Sequence, residues 1–256
     1  MNAEPLLQVE GLTKRFDDIA AVDRVSFSLR AGELLALIGP NGAGKSTCFN
    51  MLMGQLEPDS GSVRIAGMDV TGRPARTIWR RGVGRTFQIT QTFSSMTVLE
   101  NVQMALISGA REHYRWWPPA NRRHRGEALA LLQTVGMEDQ AEKACGLLAY
   151  GDLKRVELAV ALAGEPRLLL MDEPTAGMAP AERAELMMLI AAIAREKTVG
   201  VLFTEHDMDV VFDHAERIMV MDRGRLIAVG SPGEVRSDEK VRKVYLGYAA
   251  DGAGRA

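Results

Sequence analysis

The sequence predicts an α/β fold, a sheet whose strands alternate with helices, interrupted by a helical insertion. Three observations carry that prediction. A glycine-rich run, Gly39-Pro40-Asn41-Gly42-Ala43-Gly44-Lys45-Ser46-Thr47, joins an apolar stretch (33–38) to a helix-like stretch beginning at Cys48. Strand-then-helix patterns return between residues 168 and 229. Between these two regions, Thr97 to Leu148 has a mainly helical pattern.

The elements follow in order. Leu6 to Glu10 and Val25 to Leu29 read as strands, punctuated by Gly11 and Gly32. The continuous apolar run ELLALI before Gly39 reads as a buried strand. Ser62 to Ala66 and Val83 to Gln88 are further strands. Thr97-Val98-Leu99-Glu100 has capping-box spacing, with Glu100 able to reach back to the amide of Thr97. Asn121 to Val135 gathers Ala128, Leu129, Leu131, Leu132 and Val135 on one apolar side of a helix. Leu168 to Met171 is a buried strand, Ala181 to Ala194 a helix, and Val199 to Phe203 a strand; Arg217 to Met221 and Leu226 to Val229 follow as strands. Ser231-Pro232-Gly233-Glu234 offers a second helix cap, with proline at the first helical position. The end, from Asp251, is small and polar and is expected to fray.

With 256 residues, the chain is long enough for one large domain with a substantial core. Its formal charge of −2 argues against a nucleic-acid binder that works through a broad phosphate-neutralising surface. No stretch reaches the ~18 apolar residues of a membrane span, and the amino terminus lacks the basic-then-apolar layout of a secretion signal. The chain is therefore expected in the cytoplasm, with any membrane association made through partners. Cys48 and Cys145 lack the number and spacing of a disulfide framework or metal site.

The run from Gly39 to Thr47 matches a phosphate-binding loop, G-x-x-x-x-G-K-[ST], in the strand–loop–helix context such a loop needs. Its backbone amides would turn toward the phosphates of a nucleoside triphosphate, with the dipole of the next helix behind them. Lys45 would reach the β- and γ-phosphates, and the Ser46 hydroxyl would hold Mg²⁺. A second run, Leu168 to Glu173, is an apolar strand ending in two carboxylates. Asp172 can face the Mg²⁺ shell while Glu173 faces a water in line with the γ-phosphate.

A third run, Leu148-Ala149-Tyr150-Gly151-Asp152-Leu153-Lys154-Arg155-Val156-Glu157-Leu158-Ala159, resembles the signature segment of ABC-type ATPases. Gln88, Ala176-Gly177-Met178-Ala179 and His206 complete that family's landmarks in its order and spacing, across residues 5 to 247. Finer features are similar to the ATPase subunits of branched-chain amino-acid importers. These are Arg85-Thr86-Phe87-Gln88, Met96 to Val102, Glu205-His206-Asp207-Met208, the AYG form of the signature and Val244-Tyr245-Leu246-Gly247. Urea and amide importers share much of this.

The resemblance implies a P-loop NTPase core of ABC type with an antiparallel β-subdomain and an inserted helical subdomain. It divides one ATPase domain into a core (1–90 and 160–235), a helical subdomain (91–159) and a C-terminal helix and tail (236–256). It also implies residue roles. Gly39, Pro40, Asn41, Gly42, Ala43, Gly44, Lys45, Ser46 and Thr47 would bind the phosphates of ATP. Ser46, Gln88 and Asp172 would serve Mg²⁺, and Gln88 would couple that site to membrane subunits. Glu173 would be the catalytic base, His206 would contact the γ-phosphate, and Phe16 would stack on adenine. Two ATPase subunits, identical or homologous, would face head to tail, so that Ala149, Tyr150 and Gly151 of one cap the ATP of the other. The implied partners are permease subunits and, indirectly, a solute-binding protein, which places the chain at the cytoplasmic face of the membrane.

Two departures stand out. Ala149 replaces the serine of the commoner LSGGQ form, so capping must rest on backbone amides at a helix N-terminus near Tyr150 and Gly151. Ala179 stands where many relatives carry Asp or Asn. Among single residues, His113, His124 and His214 read as ordinary surface or packing histidines. Cys48 reads as a small packing residue. The neighbours Glu205, His206 and Asp207 cannot easily converge on one ion. Tyr114-Arg115-Trp116-Trp117-Pro118-Pro119 is either a loop over its own cluster or a docking patch. A soluble ABC-type ATPase acting on macromolecules is the rival reading; the paired units or long coiled coil typical of such proteins are not seen in the sequence.

Overall fold

The computed structural model describes residues 4–86, 92–109 and 124–252, with the backbone alone for Thr86 and 246–252. Two sheets organise the described residues. The first is antiparallel, in the order β2-β1-β4-β5, built from β1 (Leu7–Phe16), β2 (Ile19–Leu29), β4 (Ser60–Ile65) and β5 (Met68–Asp69). The second has the order β10-β9-β3-β8-β7-β6. It contains β3 (Leu34–Ile38), β6 (Val83–Thr86), β7 (Leu168–Asp172), β8 (Gly200–Thr204), β9 (Arg217–Asp222) and β10 (Arg225–Gly230). Its pairs are parallel except the edge pair β9–β10.

The central parallel strands are mostly apolar because both faces of their sheet are covered. Every residue of β3 and of β8 is buried. Alternate side chains go to opposite sides. Leu34, Ala36 and Ile38 join a core that includes Leu169, Met171, Val201 and Phe203 from the sheet. Helices α3 (Val98–Gly109), α4 (Arg125–Thr134), α5 (Tyr150–Leu162) and α6 (Pro180–Glu196) fill that side. Leu35 and Leu37 face the other way, into a core shared with Leu7, Val9 and Leu12 of β1 and with Phe49 and Leu52 of α1 (Lys45–Leu52). The remaining helices are α2 (Ala75–Trp79), α7 (Met208–His214), α8 (Pro232–Ser237) and α9 (Glu239–Gly252).

Gly11 does not end the first strand as its position in the sequence suggests. It adopts φ 59° at a register shift between Val9 and Leu12, and its N–H donates to Ser26 Oγ at 2.8 Å. The strand absorbs a bulge, which glycine permits, and continues to Phe16. Both sequence-expected caps form. Thr97 N–H donates to Glu100 Oε2 at 2.8 Å and Glu100 N–H to Thr97 Oγ1 at 3.1 Å. Ser231 and Glu234 make the same exchange at the start of α8. Cys48 is fully buried, and burial pushes its thiol pKa up to about 12, which fits the packing role.

Candidate functional site

The site lies outside the carboxyl ends of the parallel strands, where open α/β sheets place their ligand crevices. Three adjacent strands, β3, β8 and β7, contribute a loop each. A cleft of about 230 Å³ is lined by Ala21, residues 41–47, Asp172, Glu173 and His206. Asn41, Gly42, Ala43, Gly44, Lys45, Ser46 and Thr47 thus meet Asp172, Glu173 and His206 in one place.

The phosphate loop is shaped by its glycines. Gly44 has φ 102°, and a Cβ there would lie 2.1 Å from the carbonyl oxygen of Ala21 on β2. No side chain fits. Lys45 is 8% exposed, and its Nζ donates to the carbonyl of Gly39 at 2.6 Å and of Pro40 at 3.2 Å. Gly39 and Pro40 therefore form the base of the loop rather than the cleft wall. Burial lowers the Lys45 pKa, and the nearby carboxylates of Glu173 and Asp172 offset part of that shift.

One buried hydroxyl orders both carboxylate residues. Thr204, the last residue of β8, is 1% exposed. Its Oγ1 donates to Asp172 Oδ1 at 2.6 Å and accepts from Glu173 N–H at 3.1 Å. Glu173 then departs from the strand with φ 49°, a left-handed turn that separates it from Asp172. His206 Nε2 lies 2.8 Å from Glu173 Oε1. Arg85, at the end of β6, has its pKa lowered by burial, with Asp172 opposing the shift.

Phe16 sits at the tip of the β1–β2 hairpin, paired with Ile19 across a two-residue turn, and is 49% exposed. The second strand of that hairpin passes the cleft at Ala21. Ala149, Tyr150 and Gly151 stand elsewhere, at the amino end of α5. Ala149 is its N-cap residue, so Tyr150 and Gly151 present first-turn amides that no intrahelical carbonyl satisfies. A Cβ on Gly177 would lie 3.3 Å from Cε1 of Tyr150, so that ring packs on the loop after β7. Gln88 lies outside the described residues, as do Trp116 and Trp117.

Sequence reasoning missed Thr204, Thr175 and Arg183 and the structural role of Glu205, which together hold this geometry from behind. Thr175 N–H and Oγ1 both donate to Glu205 Oε1. Arg183 pairs with Asp207 and donates from Nε to the carbonyl of Met178 at 2.7 Å. An acid directly after a fully buried strand, as in Glu205, was the available signal. Among the described residues no group of three or more His, Cys, Asp or Glu is placed to hold a metal ion.

Comparison with known proteins gives the family. Residues 22–176 match the family model described as ABC transporter, and residues 225–251 match that described as branched-chain amino acid ATP-binding cassette transporter. The chain is 40% identical over 259 residues to the high-affinity branched-chain amino acid transport ATP-binding protein LivG of Salmonella typhimurium, covering 96% of this chain and 100% of the relative. It is 38% identical over 254 residues to the corresponding protein BraF of Pseudomonas aeruginosa, with the same coverage. A crystal structure of the ADP conformation of an ATP-binding cassette of an ABC transporter superposes with a TM-score of 0.86 at 32% identity, covering 96% of this chain and 100% of that one. A dimeric post-hydrolysis cassette bound to ADP and Pi superposes with a TM-score of 0.73 at 27% identity, covering 88% of this chain and 98% of that one. A phosphate loop, a carboxylate-ended strand and a histidine loop in one cleft, on a fold shared over nearly the whole chain, place this protein in the ATP-binding cassette family of ABC transporter ATPases.

Proposed function

We propose that this chain is the ATP-hydrolysing, energy-coupling subunit of an importer for branched-chain or related small amino acids. The observation that carries the chemistry is the 2.8 Å contact between His206 Nε2 and Glu173 Oε1 beside Lys45 in the phosphate-loop cleft. Residues 41–47 line the cleft and bind the triphosphate through backbone amides. Gly39 and Pro40 hold Lys45 at the base of the loop, and the Lys45 ammonium answers the negative charge. Glu173 orients the attacking water and accepts its proton, and His206 holds Glu173 and the γ-phosphate in register. Phe16 supports the adenine ring.

The Ser46 hydroxyl and the Asp172 carboxylate are hard oxygen donors lining the same cleft, a donor set that fits Mg²⁺. When bound, the ion offsets charge on the phosphate oxygens; Gln88 is a further candidate ligand. The substrate class is supported by the match of residues 225–251 and by the relatives named for branched-chain amino acid transport.

The amides of Tyr150 and Gly151 point to a second ATPase subunit whose nucleotide they cap, while permease subunits receive the motion. No described helix is long and apolar enough to cross a membrane, so the proposed place at the cytoplasmic face depends on those permeases. Glu173→Gln tests the reading. ATP affinity should stay near wild type, turnover should fall by about 10²-fold or more, and an ATP-bound dimer should accumulate in light scattering. Sustained turnover in this variant removes Glu173 from its role. Copurification with membrane subunits that take up labelled leucine tests the transport assignment.

A further inference from the structure

The segment after β8 carries three consecutive ionisable residues, Glu205, His206 and Asp207. His206 lines the cleft, while its two neighbours turn back into the protein. Glu205 is 4% exposed, a costly position for a carboxylate unless its lone pairs are filled. They are filled from the loop that carries the carboxylates. Oε1 accepts from Thr175 N–H at 2.8 Å and from Thr175 Oγ1 at 2.7 Å. Oε2 accepts from His206 N–H at 3.2 Å. Thr175 is itself 1% exposed and stands two residues after Glu173.

A second strap runs parallel. Asp207 pairs with Arg183, which donates to the Met178 carbonyl three residues beyond Thr175. The acidic neighbours of His206 thus both reach the segment that follows Glu173.

We propose that Glu205 is a positioning residue for ATP hydrolysis: its buried carboxylate locks the loop bearing Glu173 to the loop bearing His206 and so sets their contact. This inference rests on the roles given above to Glu173 and His206. Glu205 does not line the cleft. It acts by limiting how far the two loops slide past each other, where small displacements of a reacting group cost much of the rate.

Glu205→Gln weakens this lock without removing it, because it takes away the charge that strengthens both Thr175 bonds and the acceptor for the His206 amide. The amide oxygen keeps both Thr175 donors, but the amide nitrogen then meets the His206 N–H, donor against donor. Thr175→Val removes the hydroxyl from the other side and keeps shape. Both are measured in the full chain assembled with its membrane subunits, by kcat, ATP dissociation constant and melting temperature.

The expected result for Glu205→Gln is a kcat about tenfold lower or more, with ATP affinity within about twofold of wild type and an unchanged melting temperature. Thr175→Val should lose several-fold. In a His206→Ala background, Glu205→Gln should add little further loss, because both changes break one unit. Unchanged kcat overturns the inference, as does a full multiplicative loss on top of His206→Ala. A fall in kcat, affinity and melting temperature together also overturns it, by showing a merely structural anchor. Turnover persisting in Glu173→Gln marks failure of the underlying functional reading. A silent Glu205→Gln beside an inactive Glu173→Gln marks failure of this inference alone.

Discussion

Thr204 shows at the scale of one residue why part of the site was legible and part was not. The phosphate loop, Asp172, Glu173 and His206 announce themselves because each is fixed by its immediate neighbours: glycines around Lys45, an apolar strand before the two acids, another before the histidine. Thr204 has no such context. Its two bonds reach across 32 and 31 residues to Asp172 and Glu173, and they exist because β7 and β8 pair in register with Asp172 opposite Thr204. The left-handed turn at Glu173 was likewise unreadable, since glutamate carries no preference for positive φ. Gly44 was readable, and its role is now quantitative. Gly44→Ala combines a positive-φ penalty with a 2.1 Å approach to the Ala21 carbonyl. The loop must shift to relieve it, carrying Lys45 and Ser46 with it. ATP binding should weaken by about tenfold or more, read by titration with a fluorescent ATP analogue; native affinity in the alanine variant contradicts this account.

Among elements, α3 illustrates how local chemistry fixes a boundary. Thr97 and Glu100 satisfy each other's backbone amides at its start, and Val98, Leu99 and Val102 then bury one face. Thr97→Ala removes one acceptor from an orphan amide and should cost about 1 kcal/mol of stability. Chemical denaturation should show a lower midpoint with an unchanged slope; an equal midpoint means that the cap is replaced by water at no cost. The β1–β2 hairpin was harder to read. The sequence marks Gly11 as a strand end, but a glycine inside a strand is equally suited to a bulge, and the choice depends on Ser26 across the sheet, which accepts the Gly11 N–H. By contrast β3 and the apolar bodies of β7 and β8 were plain, because a strand covered on both faces has no polar side to confuse with a loop.

On the scale of the whole molecule, the antiparallel sheet with the hairpin tip at Phe16, the central parallel sheet and the helical region are layered so that the nucleotide cleft sits on the edge of the middle layer. That layering follows from strand–helix alternation, whereas the partnership of distant loops does not. Ala149 gives a test of the proposed pairing of two subunits. It is the N-cap of α5, and Ala149→Ser supplies a hydroxyl to the facing γ-phosphate. In a Glu173→Gln background the ATP-bound dimer should dissociate several-fold more slowly, about one added hydrogen bond to a charged group. If dissociation keeps its rate, the serine has turned to its own helix end, for which serine is well suited. The contact between Tyr150 and Gly177 has a consequence for such a pair. The ring that borders one pocket leans on the backbone belonging to the other, within a single polypeptide. In the proposed pair, burning fuel on one side would therefore jolt the ignition on the other, although an alanine occupies position 179.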